Sequence, residues 1–264
     1  MTRYLFTASL IVTLTACLLT SCGQPPGGDS SQPKAAIVDQ LHLLEANPDF
    51  VIRTTTILES QGFKVDLWQG QQITVDFYQQ LPKLGYKLII FRVHSGLLLA
   101  LVHAHEAVPS KTSYLFTGET YTTTKYITEQ LNDKVSNALM SEDYPLVFAV
   151  NSGFIKDDTE GNFDNTAIIA MGCESLYFND MAEAFTQKGA SVYLGWSDVV
   201  SLEHTDNSTL NLLENLFSEN TTIEQSMTQT MTEVGYDPYF NSYLKYHPAG
   251  SGGYTLKELL SRVN

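Results

Sequence analysis

Five short apolar runs constrain this chain more than anything else in it: AAIV (35–38), LIIF (88–91), VFAV (147–150), AIIAMG (167–172) and VYLGW (192–196). A strand with one wet face alternates apolar and polar residues, whereas a run apolar at every position is buried on both faces. Segments of helical period lie between the runs. They are Asp49 to Gly62 after Pro48, Ile73 to Gly85 shortened by Pro82, and Cys173 to Lys188 stopped by Gly189. FKVDLWQ (63–69) alternates and reads as a further strand. The order β-α-β-α-β predicts an α/β fold, an open and mostly parallel sheet flanked by helices, with right-handed crossovers.

Other segments are read more coarsely. Thr123 to Glu142 places Ile127, Leu131, Val135, Ala138 and Leu139 on one face, which predicts an amphipathic helix. FIKDDTEGNFDN (154–165) is expected to be a polar loop or a hairpin. Leu97 to Gly118 is less regular and suits hairpin arms. Helices are expected at Asp206 to Phe217 and Thr222 to Val234, followed by an irregular, tyrosine-rich tail.

The first residues, MTRYLFTASLIVTLTACLLTSC, have a basic Arg3 and then a mostly apolar stretch, the layout of a secretory signal. Its end, Leu19-Thr20-Ser21-Cys22, resembles the bacterial lipobox, which implies that Cys22 becomes the lipidated first residue of the mature chain. Gly23 to Lys34 is Gly/Pro/Ser-rich and reads as a flexible tether. The expected division is a signal peptide over 1–21, lipidated cysteine and tether over 22–34, and one domain over 35–264. The protein is thus expected to be exported and held on the extracytoplasmic face of a cell membrane by lipid alone.

The net charge of −14 argues against a nucleic-acid partner, which needs a basic footprint. It also argues against electrostatic docking on anionic lipid. Of three cysteines, Cys17 lies in the signal and Cys22 is the expected lipid site, so Cys173 is left as the single thiol of the mature chain. Without a partner it is either a buried, inert residue or a reactive one.

Two strands end alike. KLIIFRV stops at His94-Ser95-Gly96, and TAIIAMG stops at Cys173. The carboxyl ends of parallel strands share one edge of a sheet, and ligands bind there. Neighbouring strands would bring His94 and Cys173 together although 79 residues separate them. A thiol needs a base, because the thiolate is the nucleophile. His94 would move the proton. The start of a helix after Cys173 would favour the anion, whereas the Glu174 carboxylate would raise the thiol pKa. Backbone N–H groups of Cys173, Ser95 and Gly96 would form an oxyanion hole.

These features together resemble the caspase-like cysteine peptidases, which include caspases, legumains and gingipains. The resemblance is clearest over KLIIFRVHSG and AIIAMGCESLYFNDMAEAFTQKGASVYLGW. It implies a His94–Cys173 dyad, no metal, no cofactor, and a peptide or protein substrate chosen by the residue before the cut. The caspase nucleophile motif is Gln-Ala-Cys-Arg-Gly; here Met171 and Glu174 replace its glutamine and arginine, so a preference for aspartate is not implied.

Beyond the next strand, Trp196 and Asp198 are candidates for a substrate pocket, in which Asp198 would favour Arg or Lys; a packed tryptophan and a turn cap are the alternative. His103 and His105, with Glu106, have strand spacing for a zinc site, but no third ligand is identifiable. The primary expectation is a membrane-anchored cysteine endopeptidase. The alternative is a catalytically inactive surface-binding lipoprotein on the same scaffold.

Overall fold

Four of the five apolar runs lie in one sheet, and the fifth does not. The computed structural model describes residues 32–102 and 106–262. The described chain belongs to one compact unit that begins at Gln32. Cys22, the signal and most of the tether lie outside the described residues, as do His103 and His105.

In chain order, β1 (Lys34–Asp39), α1 (Pro48–Ser60), β2 (Lys64–Gln69), α2 (Val75–Gln80) and β3 (Tyr86–Arg92) come first. Next come β4 (Ser95–Val102), β5 (Glu106–Thr120), α3 (Ile127–Leu131), β6 (Val135–Ala138) and β7 (Val147–Asn151). The chain continues through α4 (Ser152–Asp157), β8 (Thr166–Ala170), α5 (Asp180–Gln187) and β9 (Ala190–Trp196). It closes with α6 (Leu202–Leu216), α7 (Ile223–Glu233), β10 (Leu244–His247) and α8 (Leu256–Leu260).

The main sheet has the order β10-β9-β8-β3-β1-β2. All its neighbours pair in parallel except β10, which runs antiparallel to β9. The chain is therefore an α/β protein with a mostly parallel sheet flanked by helices, consistent with a caspase-like fold. Successive residues of β3 feed opposite cores. Ile89 and Phe91 pack with Phe185 and Tyr193, while Leu88 and Ile90 pack with Phe50, Leu213 and Trp196. This two-sided burial is why residues 35–38 of β1, 88–91 of β3 and 167–170 of β8 are unbroken apolar runs.

VFAV is β7, and it belongs to a second, antiparallel sheet of order β4-β5-β7-β6. It is wholly buried, because Phe148 and Val150 join the core of β3's Ile89 and Phe91. Burial alone does not distinguish a parallel strand from an enclosed antiparallel one.

The amphipathic helix expected over 123–142 is not formed. Only Ile127 to Leu131 is helical, and Ile127 and Leu131 are 54% and 79% exposed. Asp133 takes a left-handed conformation (φ 56°), and Val135 to Ala138 pairs with β7 instead. The polar segment 154–165 begins inside α4, which Asn151 caps through its side chain, rather than as a loop or hairpin. In the tail, Leu244 to His247 is ordered as a strand on the edge of the main sheet.

Candidate active site

Strands β3 and β8 are parallel neighbours, in register from Leu88 opposite Ala167 to Phe91 opposite Ala170. His94 and Cys173 each leave this pair three or fewer residues past its last rung. Both line one cavity of about 320 Å³, along with Leu41, Val93, Met171 and Val200. Gly172 makes the approach possible. A Cβ there would lie 2.2 Å from Ser95 Oγ and 2.5 Å from the Val93 carbonyl oxygen. The two ends are then joined directly, as Ser95 Oγ donates to the Cys173 carbonyl at 2.6 Å.

The ring of His94 packs beside Phe116, with centroids 5.7 Å apart, and its buried Nε2 has no hydrogen-bond partner. Burial holds its pKa below the ordinary imidazole value, which favours the neutral ring, the form that accepts a proton. The main chain of His94 is fixed on both sides: its N–H donates to Gln40 Oε1 at 2.9 Å, and its carbonyl accepts from Phe116 N at 2.9 Å.

The thiol of Cys173 is half-buried, and Sγ lies 3.5 Å from the Val200 carbonyl, to which it donates. Burial pushes the thiol pKa up. Contact with the local backbone opposes this, while the Glu174 and Asp237 carboxylates reinforce it. The expected help from a helix start is absent. Residues 173–177 form a turn, and α5 begins only at Asp180. The cause is local. Glu174 adopts φ 54°, and the N–H groups of Glu174 and Leu176 donate to the Asp198 and Trp196 carbonyls past and at the end of β9.

Of the expected oxyanion donors, the Cys173 N–H has no hydrogen-bond acceptor among the described residues. Ser95 and Gly96 open β4, opposite Leu115 and Tyr114 of β5. Glu174 reaches back over this strand start, its Oε2 accepting from Leu97 N at 3.2 Å. Burial raises the Glu174 pKa, the Leu97 N–H opposes that, and Asp198 adds to it.

Trp196 does not line the cavity. It is fully buried, and its Nε1 donates to Thr205 Oγ1 at 2.9 Å, so its place is in the core. Asp198 is exposed. Its side chain caps the Val199 N–H at 2.8 Å, a turn cap that leaves the carboxylate accessible. Among the described residues no group of three or more His, Cys, Asp or Glu side chains could hold a metal ion.

The sequence reading missed a buried ionic cluster behind the site. Arg92 is 1% exposed. Its Nε and Nη2 donate to both Asp206 carboxylate oxygens, at 2.8 and 3.0 Å, and Nη1 donates to Asp39 Oδ1 at 2.8 Å and to the Glu45 carbonyl at 3.0 Å. The arginine at the end of an apolar run, KLIIFRV, is the signal that could have found it.

Compared with known proteins, the chain matches no family model and no curated sequence. The fold and the site geometry therefore carry the functional argument alone. Among the described residues, no helix is long and apolar enough to cross a membrane.

Proposed function

We propose that this chain is an exported, lipid-anchored cysteine endopeptidase of caspase-like type, with Cys173 as nucleophile and His94 as proton carrier. One observation carries the reading: two side chains of complementary chemistry follow adjacent parallel strands and line a single cavity. A neutral, buried imidazole with a free Nε2 is suited to take the thiol proton. Sγ would turn from the Val200 carbonyl and bond to the substrate carbonyl carbon. The resulting oxyanion would be held by the Cys173 N–H. Collapse would expel the amine with the proton from His94, leaving a thioester. Water would then cleave it, returning the thiol and releasing the acid. The exposed Asp198 carboxylate beyond β9 would favour Arg or Lys before the cut. The anchor would be lipid on Cys22.

The raised thiol pKa, and the Sγ contact with Val200 in place of one with the imidazole, favour a second reading, a catalytically silent surface-binding lipoprotein. Cleavage of a peptide library by the parent and by Cys173→Ala separates the two. The peptidase reading expects hydrolysis by the parent only. Equal hydrolysis by both proteins would discard the mechanism, and none by either would favour the binder.

A further inference from the structure

A buried arginine with two carboxylates is a costly way to fill a core, since apolar replacements of such clusters are often neutral or better for stability. The surroundings of Arg92 suggest what the cluster does. Asp39 and Asp206, its two ionic partners, each have a neighbour in sequence that grips the backbone of the proposed dyad. Gln40 follows Asp39, and its Oε1 accepts the His94 N–H at 2.9 Å. Thr205 precedes Asp206, and its hydroxyl donates to the Met171 carbonyl at 2.9 Å, two residues before Cys173. That hydroxyl also accepts from Trp196 Nε1, so its direction is fixed. Asp39, Gln40, Thr205 and Asp206 are all nearly or wholly buried.

We infer that Asp39-Gln40 and Thr205-Asp206 are paired positioning dipeptides, both registered on Arg92, that set the separation of His94 and Cys173. Asp39 takes one bond from Arg92 and Asp206 takes two, and each dipeptide adds one neutral bond to the backbone past a strand end. The end of β1 thereby holds the histidine backbone. The first turn of α6 holds the backbone leading to the cysteine. Arg92 lies two residues before His94, so one guanidinium is the common reference for both. The inference deepens the proposed dyad and uses its residues, but the backbone geometry on which it stands does not depend on peptidase activity.

The test uses the full chain and two readouts: amide hydrogen exchange, and the rate of iodoacetamide adduct formation at Cys173 followed by peptide mapping. Thr205→Val removes the hydroxyl and nearly keeps the shape, and Thr205→Ser restores it. Exchange at Met171, whose N–H donates to the Phe91 carbonyl at 2.9 Å, is expected to speed at least tenfold in Thr205→Val and to stay near the parent rate in Thr205→Ser. His94→Ala is expected to slow alkylation at least tenfold in the parent and in Thr205→Ser, but less than twofold in Thr205→Val. Unchanged exchange in Thr205→Val overturns the inference, as does a full His94 effect in that variant. Should His94→Ala have no effect even in the parent, the dyad fails, and exchange alone decides the positioning role. If Thr205→Val does not fold, Asp206→Asn takes its place; it is expected to speed exchange at Val93 and His94, and unchanged exchange there is the overturning result.

Discussion

Ser95 Oγ hydrogen-bonds the carbonyl oxygen of Cys173 at 2.6 Å, so the two strand ends that bear the site are tied by a side chain from one to the main chain of the other. Just past the last rung Met171 N also donates to the Phe91 carbonyl at 2.9 Å, and Val93 and Ser95 lie against Gly172.

Gly172→Ala would push a methyl group into Ser95 Oγ and the Val93 carbonyl. Overpacking of this kind costs roughly 1–3 kcal/mol. The urea midpoint should fall with an unchanged m-value, and cleavage should be lost. A parent-like midpoint would mean that the ends are further apart than described.

Glu174→Gln should make Cys173 more reactive. The carboxylate helps raise the thiol pKa, so a neutral amide should shift the pH profile of alkylation to lower pH. Labelling at pH 7 should be about two- to tenfold faster. A profile that stays in place or moves up would show that Glu174 does not act on the thiol through its charge.

The buried His94 ring should make stability depend on pH. Its folded pKa lies below the ordinary value of about 6.5, so the folded state favours the neutral ring. Its contribution is fully present above pH ~6.5 and is lost as pH falls through the folded value, at about 1.4 kcal/mol for each unit of depression. His94→Asn should flatten the stability curve in that window. The raised pKa of Glu174 acts with the opposite sign, its contribution being lost as pH rises through the folded value. An unaltered slope below pH 6.5 in His94→Asn would count against a buried neutral ring.

Arg92→Leu should be severe. It strands Asp39 and Asp206, each nearly or wholly buried, without their shared cation. Removing one partner from a buried ionic cluster costs about 3–5 kcal/mol. Thermal melting should show it, and adding Asp39→Asn and Asp206→Leu to the same chain should recover part of the loss. If Arg92→Leu alone melts like the parent, the cluster carries no stability.

The parts that sequence made legible are those whose signal is local. Runs apolar at every position marked β1, β3, β8 and β9, and the shared endings of β3 and β8 marked His94 and Cys173. What was not legible depends on distant partners. Val135 and Ala138 fit a helical stripe, but β7 was available to pair with them, and a left-handed Asp133 redirected the chain. The segment after Cys173 has helical spacing, yet the carbonyls beyond β9 captured the amides of Glu174 and Leu176 first. Trp196 is the last residue of β9 and so looked close to the site. Its indole turns inward because Thr205 offers an acceptor there. Arg92 drew no comment in the sequence, and its partners on β1 and α6 could not be named from spacing.

His94 occupies the seam between the two sheets. Arg92 is the last residue of a strand in the six-stranded sheet, and Ser95 is the first of a strand in the four-stranded one. Cys173, by contrast, follows a strand of the larger sheet alone. Shear of one sheet over the other would therefore load the Gln40 bond that keeps His94 with the larger sheet, while nothing of the kind acts at Cys173.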